Sequence, residues 1–528
     1  MKKVITGVIF LIAIALSSFS QTTISGGDVY GNWDISSSPY FIDGDITVPD
    51  GYKLSIAPGV EVIFQGEYSF TIIGTLDARG THNDSISFTS ADTAGFSSGN
   101  YPGWKGIDFI GYTSTQTDKS ILKYCKIEYS SNNGLFVMDF SNLEIDECSF
   151  GNNLGFGISV NEFSNVNIYN IKVKENISGG IAINSSDPVF SGFDVLNNSG
   201  SGISVNGSCN VILKNGTISG NITSSNGGGI NVGMDANVNV ENVMIVENVA
   251  SAGGGINCIM GNIFITNSLI KSNYAQNGAG INGGYMSSVS LDHLLIVRNQ
   301  AGENGGAIYI NESDLNIVNS TIANNSALTD AGGMFMNNSY LRSATIINSI
   351  FRDNEPEEFS IGSEMPEITY SDIEGGFEGE GNIDADPLFT DPESDDYTLL
   401  WENYPSADYS KSPCIDAGYP GQAFDPDGTT TDMGAFYFDQ TNITSVDKFD
   451  ENDRLVLYPN PATDIINIKG TGTYTKMIIS DMTGQIVQDI LLTNNLLSIN
   501  ISDLNTGIYL VVLFDKSGIA LKKKIVKK

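Results

Sequence analysis

Residues 221 to 281 read NITSSNGGGINVGMDANVNVENVMIVENVASAGGGINCIMGNIFITNSLIKSNYAQNGAGI. Two columns stand out: an apolar residue behind small residues at Ile230, Ile256 and Ile281, and an asparagine at Asn221, Asn248 and Asn273. The apolar column extends upstream to Leu135, Ile158, Ile181 and Ile203 and downstream to Ile308 and Met334, at spacings of 22 to 27 residues. The asparagine column keeps the same register through Asn153, Asn176, Asn198, Asn299, Asn325 and Asn354. Between the marks, segments such as Val238-Asn239-Val240 and Ile263-Phe264-Ile265 alternate with period two, so the unit is built of strands and helical solenoids are excluded. One such unit cannot bury its own apolar face, whereas units stacked in parallel bury a continuous core and pair each backbone group with the coil above. Asparagine at one turn per coil stacks into a side-chain ladder, and glycine gives tight corners their positive φ.

The fold expected is therefore all-β: a right-handed single-stranded parallel β-helix over residues 45–371, with about a dozen coils and a length on the order of 60 Å. Residues 21–44 and 372–438 lack the repeat and are expected to cap its two ends. Residues 1–20 have the form of a signal peptide, with Lys2 and Lys3, an apolar run from Val4 to Leu16, and the small residues Ser18 and Ser20 around Phe19. No later stretch is apolar enough to be a transmembrane segment. The formal net charge is −35, which argues against nucleic acid as a partner and against anionic polysaccharide without bridging cations. Five thinly spread cysteines cannot form a disulfide framework. Cys125 and Cys148 fall one coil apart in the same register, where a bridge and two reduced, stacked thiols are both geometrically allowed.

After the polar linker 439–453, residues 454–528 change character. Short strands at eight-to-twelve-residue spacing, among them Ile465-Ile-Asn-Ile and Gly507-Ile-Tyr-Leu-Val-Val, read as a small immunoglobulin-like β-sandwich.

Two resemblances follow from these residues. Gly305-Gly306-Ala307-Ile308 and Phe351-Arg-Asp-Asn354 resemble the repeats of polymorphic outer-membrane adhesins, and Ser412-Pro-Cys-Ile-Asp-Ala-Gly418 resembles the closing region of secreted β-helix proteins of the pectate-lyase-like superfamily. The C-terminal unit resembles the type A sorting domain of the type IX secretion system through Tyr458-Pro459-Asn460-Pro461, Asp481-Met-Thr-Gly484, Gly507-Ile508-Tyr509 and the lysine-rich end Lys522 to Lys528. That resemblance implies Sec export followed by type IX secretion in a diderm bacterium, with the secretion machinery and a surface sortase as partners. It places the mature chain outside the cell or on the outer-membrane surface. The superfamily includes lyases, hydrolases and non-catalytic adhesins, so fold alone does not give activity.

No catalytic set is recognised in the residues. His293 stands in a column otherwise filled by Asn242, Asn267, Asn319 and Asn348, which makes it a turn residue, and His82 lies in a loop without a partner. Arg298 and Arg352 precede ladder asparagines, but the coil between them carries Ala323 and Asn324, so no basic cluster forms. Asp425-Pro-Asp-Gly428 opens like a calcium loop but lacks the closing glutamate, and reads as a turn. Residues 372 to 396 hold ten carboxylates and no Lys or Arg; this is a solvated acidic stretch suited at most to weak Ca2+, and no other cofactor or metal site is expected.

Turn length carries the functional signal. From the ladder asparagine to the next apolar mark the chain takes five residues in the early coils and eight or nine from Asn221 onward. The added segments, Thr223 to Asn226, Ala250 to Ala252, Tyr274 to Asn277, Ala301 to Asn304 and Ala327 to Asp330, must project from one edge of consecutive coils, where solenoids build binding surfaces. Tyr274, Gln276, Asn277, Glu303 and Asn304 are the expected ligand contacts, with Tyr274 as anchor. The favoured reading is a non-catalytic binding or adhesion protein for a glycan or protein ligand; the alternative is a polysaccharide lyase or glycoside hydrolase.

Overall fold

The computed structural model describes residues 21–100, 102–111, 118–140, 142–339, 342–441, 456–469, 475–481, 485–492, 498–514 and 519–528. The signal segment, residues 442–453 of the linker and Gly484 lie outside the described residues. The body is a right-handed parallel β-solenoid of about 13 turns. Each coil gives one strand to a 14-stranded sheet and one long or two short strands to a 25-stranded sheet. Ile230, Ile256 and Ile281 are paired in direct register and fully buried, so the apolar column is an interior row.

The broad sheet bends at one residue per coil, in left-handed conformation. Asn242, Asn267, His293, Asn319 and Asn348 take φ of 55°, 49°, 55°, 46° and 52°. Asparagine tolerates this region through local hydrogen bonding. His293 occupies the bend as the column predicts, its Nδ1 2.7 Å from Asp292 Oδ1.

The main ladder is continuous. In each rung the backbone N–H and Nδ2 of one asparagine donate to Oδ1 of the next, as from Asn248 to Asn273 at 2.9 and 3.1 Å. The small residue ahead of each apolar mark is required by this ladder: a Cβ on Gly157 would lie 2.8 Å from Asn176 Nδ2, and on Gly202 2.9 Å from Asn221 Nδ2.

The ladder ends on a carboxylate. One coil after Met334 the apolar mark is Phe359, and the residue ahead of it is Glu358 instead of glycine. With no tenth asparagine above, its carboxyl takes that place: Asn354 N donates to Oε1 at 3.1 Å and Nδ2 to Oε2 at 2.6 Å. Burial is the main cause that raises the Glu358 pKa to about 8, with Glu374 adding to it and the Asn354 hydrogen bonds opposing it. Because the folded-state value lies above the unfolded one, the stability this group gives is fully present below about pH 4.5 and is lost as pH rises toward 8. Glu358→Gln keeps an oxygen for Asn354 and removes the charge. Its stability relative to wild type should therefore rise across that window and level off above it, by a few kcal/mol, read as unfolding midpoints against pH. A flat difference would contradict the assignment.

Cys125 and Cys148 are stacked free thiols, both buried, with Cys125 N 3.4 Å from Cys148 Sγ.

The solenoid begins ahead of Asp45. Thr22–Ile24, Gly27–Asp28 and Gly31–Trp33 already pair in parallel with the next coil, which opens at Tyr40–Ile42, so residues 22–44, expected to cap the end, are part of the solenoid. This first coil carries no asparagine rung, and Gly27 stands where the next coil has Ile46, so the apolar column is broken and the coil is hidden from the periodicity. At the other end Phe377 packs beside Phe359, while residues 386–438 run back along the helix as a strap. Arg298 Nε pairs with Asp395 at 2.9 Å, Asn324 donates to the Tyr397 hydroxyl at 3.1 Å, and Gly434 N donates to Asn348 O at 2.7 Å.

The C-terminal unit holds a three-stranded and a four-stranded antiparallel sheet around its own core, which includes Ile466, Met477, Ile479, Val511 and Ile525.

Candidate functional site

The five lengthened turns are ordered. Tyr274–Asn277, Gln300–Asn304 and Ser326–Ala327 form a third parallel sheet, and bridges at Ile222, Val249 and Ala252 continue it to the earlier coils. Its inner side is a row of small residues, Ala275, Ala279 and Ala301, with Ala327 against them. Alternation then turns Tyr274 and Gln276 outward, and an extra residue in the next strand, opposite Gln276, brings Glu303 out beside them; all three are exposed. Asn277 donates through Nδ2 to Glu303 Oε2 at 3.1 Å, and Asn304 Nδ2 donates to Asn277 Oδ1 at 3.0 Å. Gly302 lets the strip close up: a Cβ there would lie 2.5 Å from Gln276 Oε1 and 3.1 Å from the Tyr274 hydroxyl oxygen. The structure thus brings all five expected contact residues together on one edge.

Beside the strip runs the outward face of the 14-stranded sheet. Its outward row in register is Ser204, Asn231, Asn257, Asn282, Tyr309, Phe335 and Ser360. Four of the turns fold down onto this row through a glycine of positive φ and the fifth through Ala331; a Cβ on Gly227 would strike Asn231 and one on Gly253 would strike Asn257. The three carboxamides form a second outer ladder, with Asn257 Nδ2 to Asn231 Oδ1 at 2.8 Å and Asn282 Nδ2 to Asn257 Oδ1 at 2.6 Å. Tyr309 and Phe335 stack at 4.9 Å and 6°. Burial raises the Tyr309 pKa, with Tyr285 and Glu303 contributing. The row was missed from sequence because outward positions alternate with the core marks and have no period of their own.

The remaining candidates have structural partners. Arg298 is engaged by the strap, and Arg352 pairs with Asp384, just ahead of it, at 3.3 Å. The ring of His82 meets Tyr124 edge-on at 6.4 Å. Asp425 closes a turn, its carbonyl accepting from Gly428 N at 2.8 Å, and Asp427 accepts from Thr429 N at 3.0 Å. Among the described residues no group of three or more His, Cys, Asp or Glu side chains is placed to hold a metal ion. No described helix is long and apolar enough to cross a membrane.

In the C-terminal unit Asn460 clamps the last strand: its Oδ1 accepts from Val526 N at 2.7 Å and its Nδ2 donates to Lys524 O at 3.0 Å. Pro459 and Pro461 flank it, and Tyr458 pairs across from Asn467. The Tyr509 hydroxyl donates to Asn505 O at 2.8 Å, Gly507 pairs with Lys527, and Asp481 Oδ1 accepts from Gln485 N at 2.9 Å. These motif residues hold the fold of the unit and the place of its lysine-rich strand.

Residues 106–262 match the family described as a right handed beta helix region, and residues 456–528 match the secretion system C-terminal sorting domain. The chain is a β-helix protein with a type IX secretion tail. That sorting tail marks it for export to the cell surface or beyond and for contact with the secretion machinery. Among solved structures this β-helix protein is similar to pectate lyase Pel9A, at 12% identity and TM-score 0.30 over 80% of this chain and 98% of that one. It is similar also to the Azotobacter vinelandii mannuronan C-5 epimerase AlgE4 A-module, at 13% identity and TM-score 0.27 over 66% and 91%. A tailspike protein of an Escherichia coli O157:H7 bacteriophage is similar at 10% identity and TM-score 0.27 over 97% and 65%. No curated protein matches the sequence.

Proposed function

We propose that this exported β-helix protein is a binding protein for neutral glycan chains, and that the ligand lies along the strip of lengthened turns and the outward row beside it. The observation that carries this reading is the assembly of three turns into a sheet, continued to the two earlier turns by single bridges, that brings the exposed Tyr274, Gln276 and Glu303 together with the half-buried Asn277 and Asn304. An aromatic ring offers a sugar face a large contact at low entropic cost, and carboxamides supply both donors and acceptors for hydroxyls. The acidic body disfavours anionic polysaccharides.

Tyr274→Ala touches no core row. It should weaken binding to neutral oligosaccharides on a glycan array by about tenfold while the unfolding midpoint stays in place. Shortening all five turns to the five-residue form should abolish binding with the apolar and asparagine columns intact. Unchanged binding at unchanged stability would remove the strip from the site, and binding confined to basic proteins would replace the glycan by a protein surface.

A further inference from the structure

On the outer face of the broad sheet one position per coil runs in register through Lys172, Asp194, Thr217, Met244, Leu269, Leu295 and Thr321. Outward positions on a solenoid ordinarily face water; here Lys172 is exposed and Asp194 half-buried, while the cover already begins at Thr217, 6% exposed. The next three are large and apolar, yet Met244, Leu269 and Leu295 are only 5%, 7% and 2% exposed. A contiguous apolar patch of this kind calls for a cover. Two bodies supply it. The strap contributes Phe389, Tyr397, Ala435 and Phe436, and the sorting tail contributes Ile508 and Val526.

The polar part of the contact is complementary as well. Residues 391 to 396 of the strap carry Asp391, Glu393, Asp395 and Asp396, and the last strand of the tail carries Lys523, Lys524 and Lys527. Lys524 Nζ donates to the Asp395 carbonyl at 2.7 Å and stands 5.3 Å from the centre of the Phe436 ring. Burial holds its pKa below the ordinary lysine value, against the pull of Asp396 and Asp395. Asp395 is itself fixed from the helix by Lys271 and Arg298, so the carbonyl that receives Lys524 is held in place. Inside the tail, Asn460 fixes the backbone on both sides of Ile525 and so presents Lys524 and Val526 to the helix.

We infer that the Met244–Leu269–Leu295 row and the acidic strap form a receptor for the sorting tail, so that the tail is docked on the flank of the β-helix and its removal uncovers an apolar surface. The receptor lies on the broad sheet, apart from the proposed glycan strip. The inference therefore stands or falls separately from the binding reading.

The test keeps the full chain. A protease site is engineered within residues 442–453, the purified protein is cut, and gel filtration reads whether the two pieces leave the column together. Wild-type pieces should co-elute, and Leu269→Asp and Lys524→Glu should release the tail. Both substitutions sit on outward positions, and amide exchange at Ile245 and Ile270 in the helix and at Met477 and Ile479 in the tail should remain protected in each. Separation of the cut wild-type protein overturns the inference whatever the variants do, and so does co-elution that survives both substitutions.

Discussion

Asn248→Ala should lower the stability of the β-helix by about 3 kcal/mol or more, among the largest effects available to a single side chain here. Its Oδ1 accepts from Asn221 N at 3.0 Å and from Asn221 Nδ2 at 2.9 Å. Its Nδ2 donates to Asn273 Oδ1 at 3.1 Å and to the Ile218 carbonyl at 3.0 Å. Asn221, Asn248 and Asn273 are all at most 1% exposed, so water cannot replace the lost partners. Alanine leaves the buried Asn221 N–H without its acceptor and takes one bond each from the Asn221 carboxamide, the Asn273 carboxamide and the Ile218 carbonyl. An orphaned buried group costs its desolvation penalty instead of the smaller net value of an exchanged hydrogen bond. Because a solenoid is held by nearest-neighbour contacts, the damage should appear first in the adjoining coils. Amide exchange at Ile218, Ile245 and Ile270 should quicken before that of Ile346 or Ile86, and the unfolding midpoint should fall. Asn277→Ala, on the exposed strip, should move the midpoint much less. Equal midpoints for wild type and Asn248→Ala would show that the ladder is geometry without energy.

The ladder also explains which parts of the molecule the sequence reveals. A residue repeated at each coil is repeated because each coil poses the same local problem, so asparagines, glycines and interior isoleucines appear as columns. Features used once have no period. The strap is a single pass of chain, and its partners Arg298, Asn324 and Asn348 sit inside columns that already have a local explanation. The first coil, with strands from Thr22 to Trp33, is hidden because it has no ladder asparagine and places Gly27 in the apolar column. Glu358 lies between these cases: a carboxylate in the glycine column, 25 residues after Gly333, is visible as a break in pattern. Its meaning as the end of the ladder needs coordinates. The strip was legible because insertion length is itself periodic. Its neighbour, the outward row from Asn231 to Phe335, was not, since outward positions are constrained by what covers them and not by the core.

Deleting residues 454–528 should leave the β-helix folded and stop its delivery. The interior rows of the helix form one cluster and the tail's interior another, with no residue shared, so loss of the tail opens no cavity in the helix. The cost to the helix falls on its outer contact with the tail, which includes Ile508, Val526 and Lys524, a surface loss that local exchange at Met244 to Val246 should register while Ile230, Ile256 and Ile281 stay protected. Delivery depends on a different property. The match over residues 456–528 assigns the address to the tail, and the motif side chains of Asn460, Asp481 and Tyr509 are spent on holding that unit's own fold and its basic strand. A chain without it should accumulate in the periplasm as a folded solenoid, measured by surface protease accessibility in intact cells and by fractionation. Single substitution at Leu269 should separate the two roles, releasing the docked tail while leaving the address intact, so that Leu269→Asp still reaches the surface. Surface display of the truncated chain would show that the β-helix carries its own export signal.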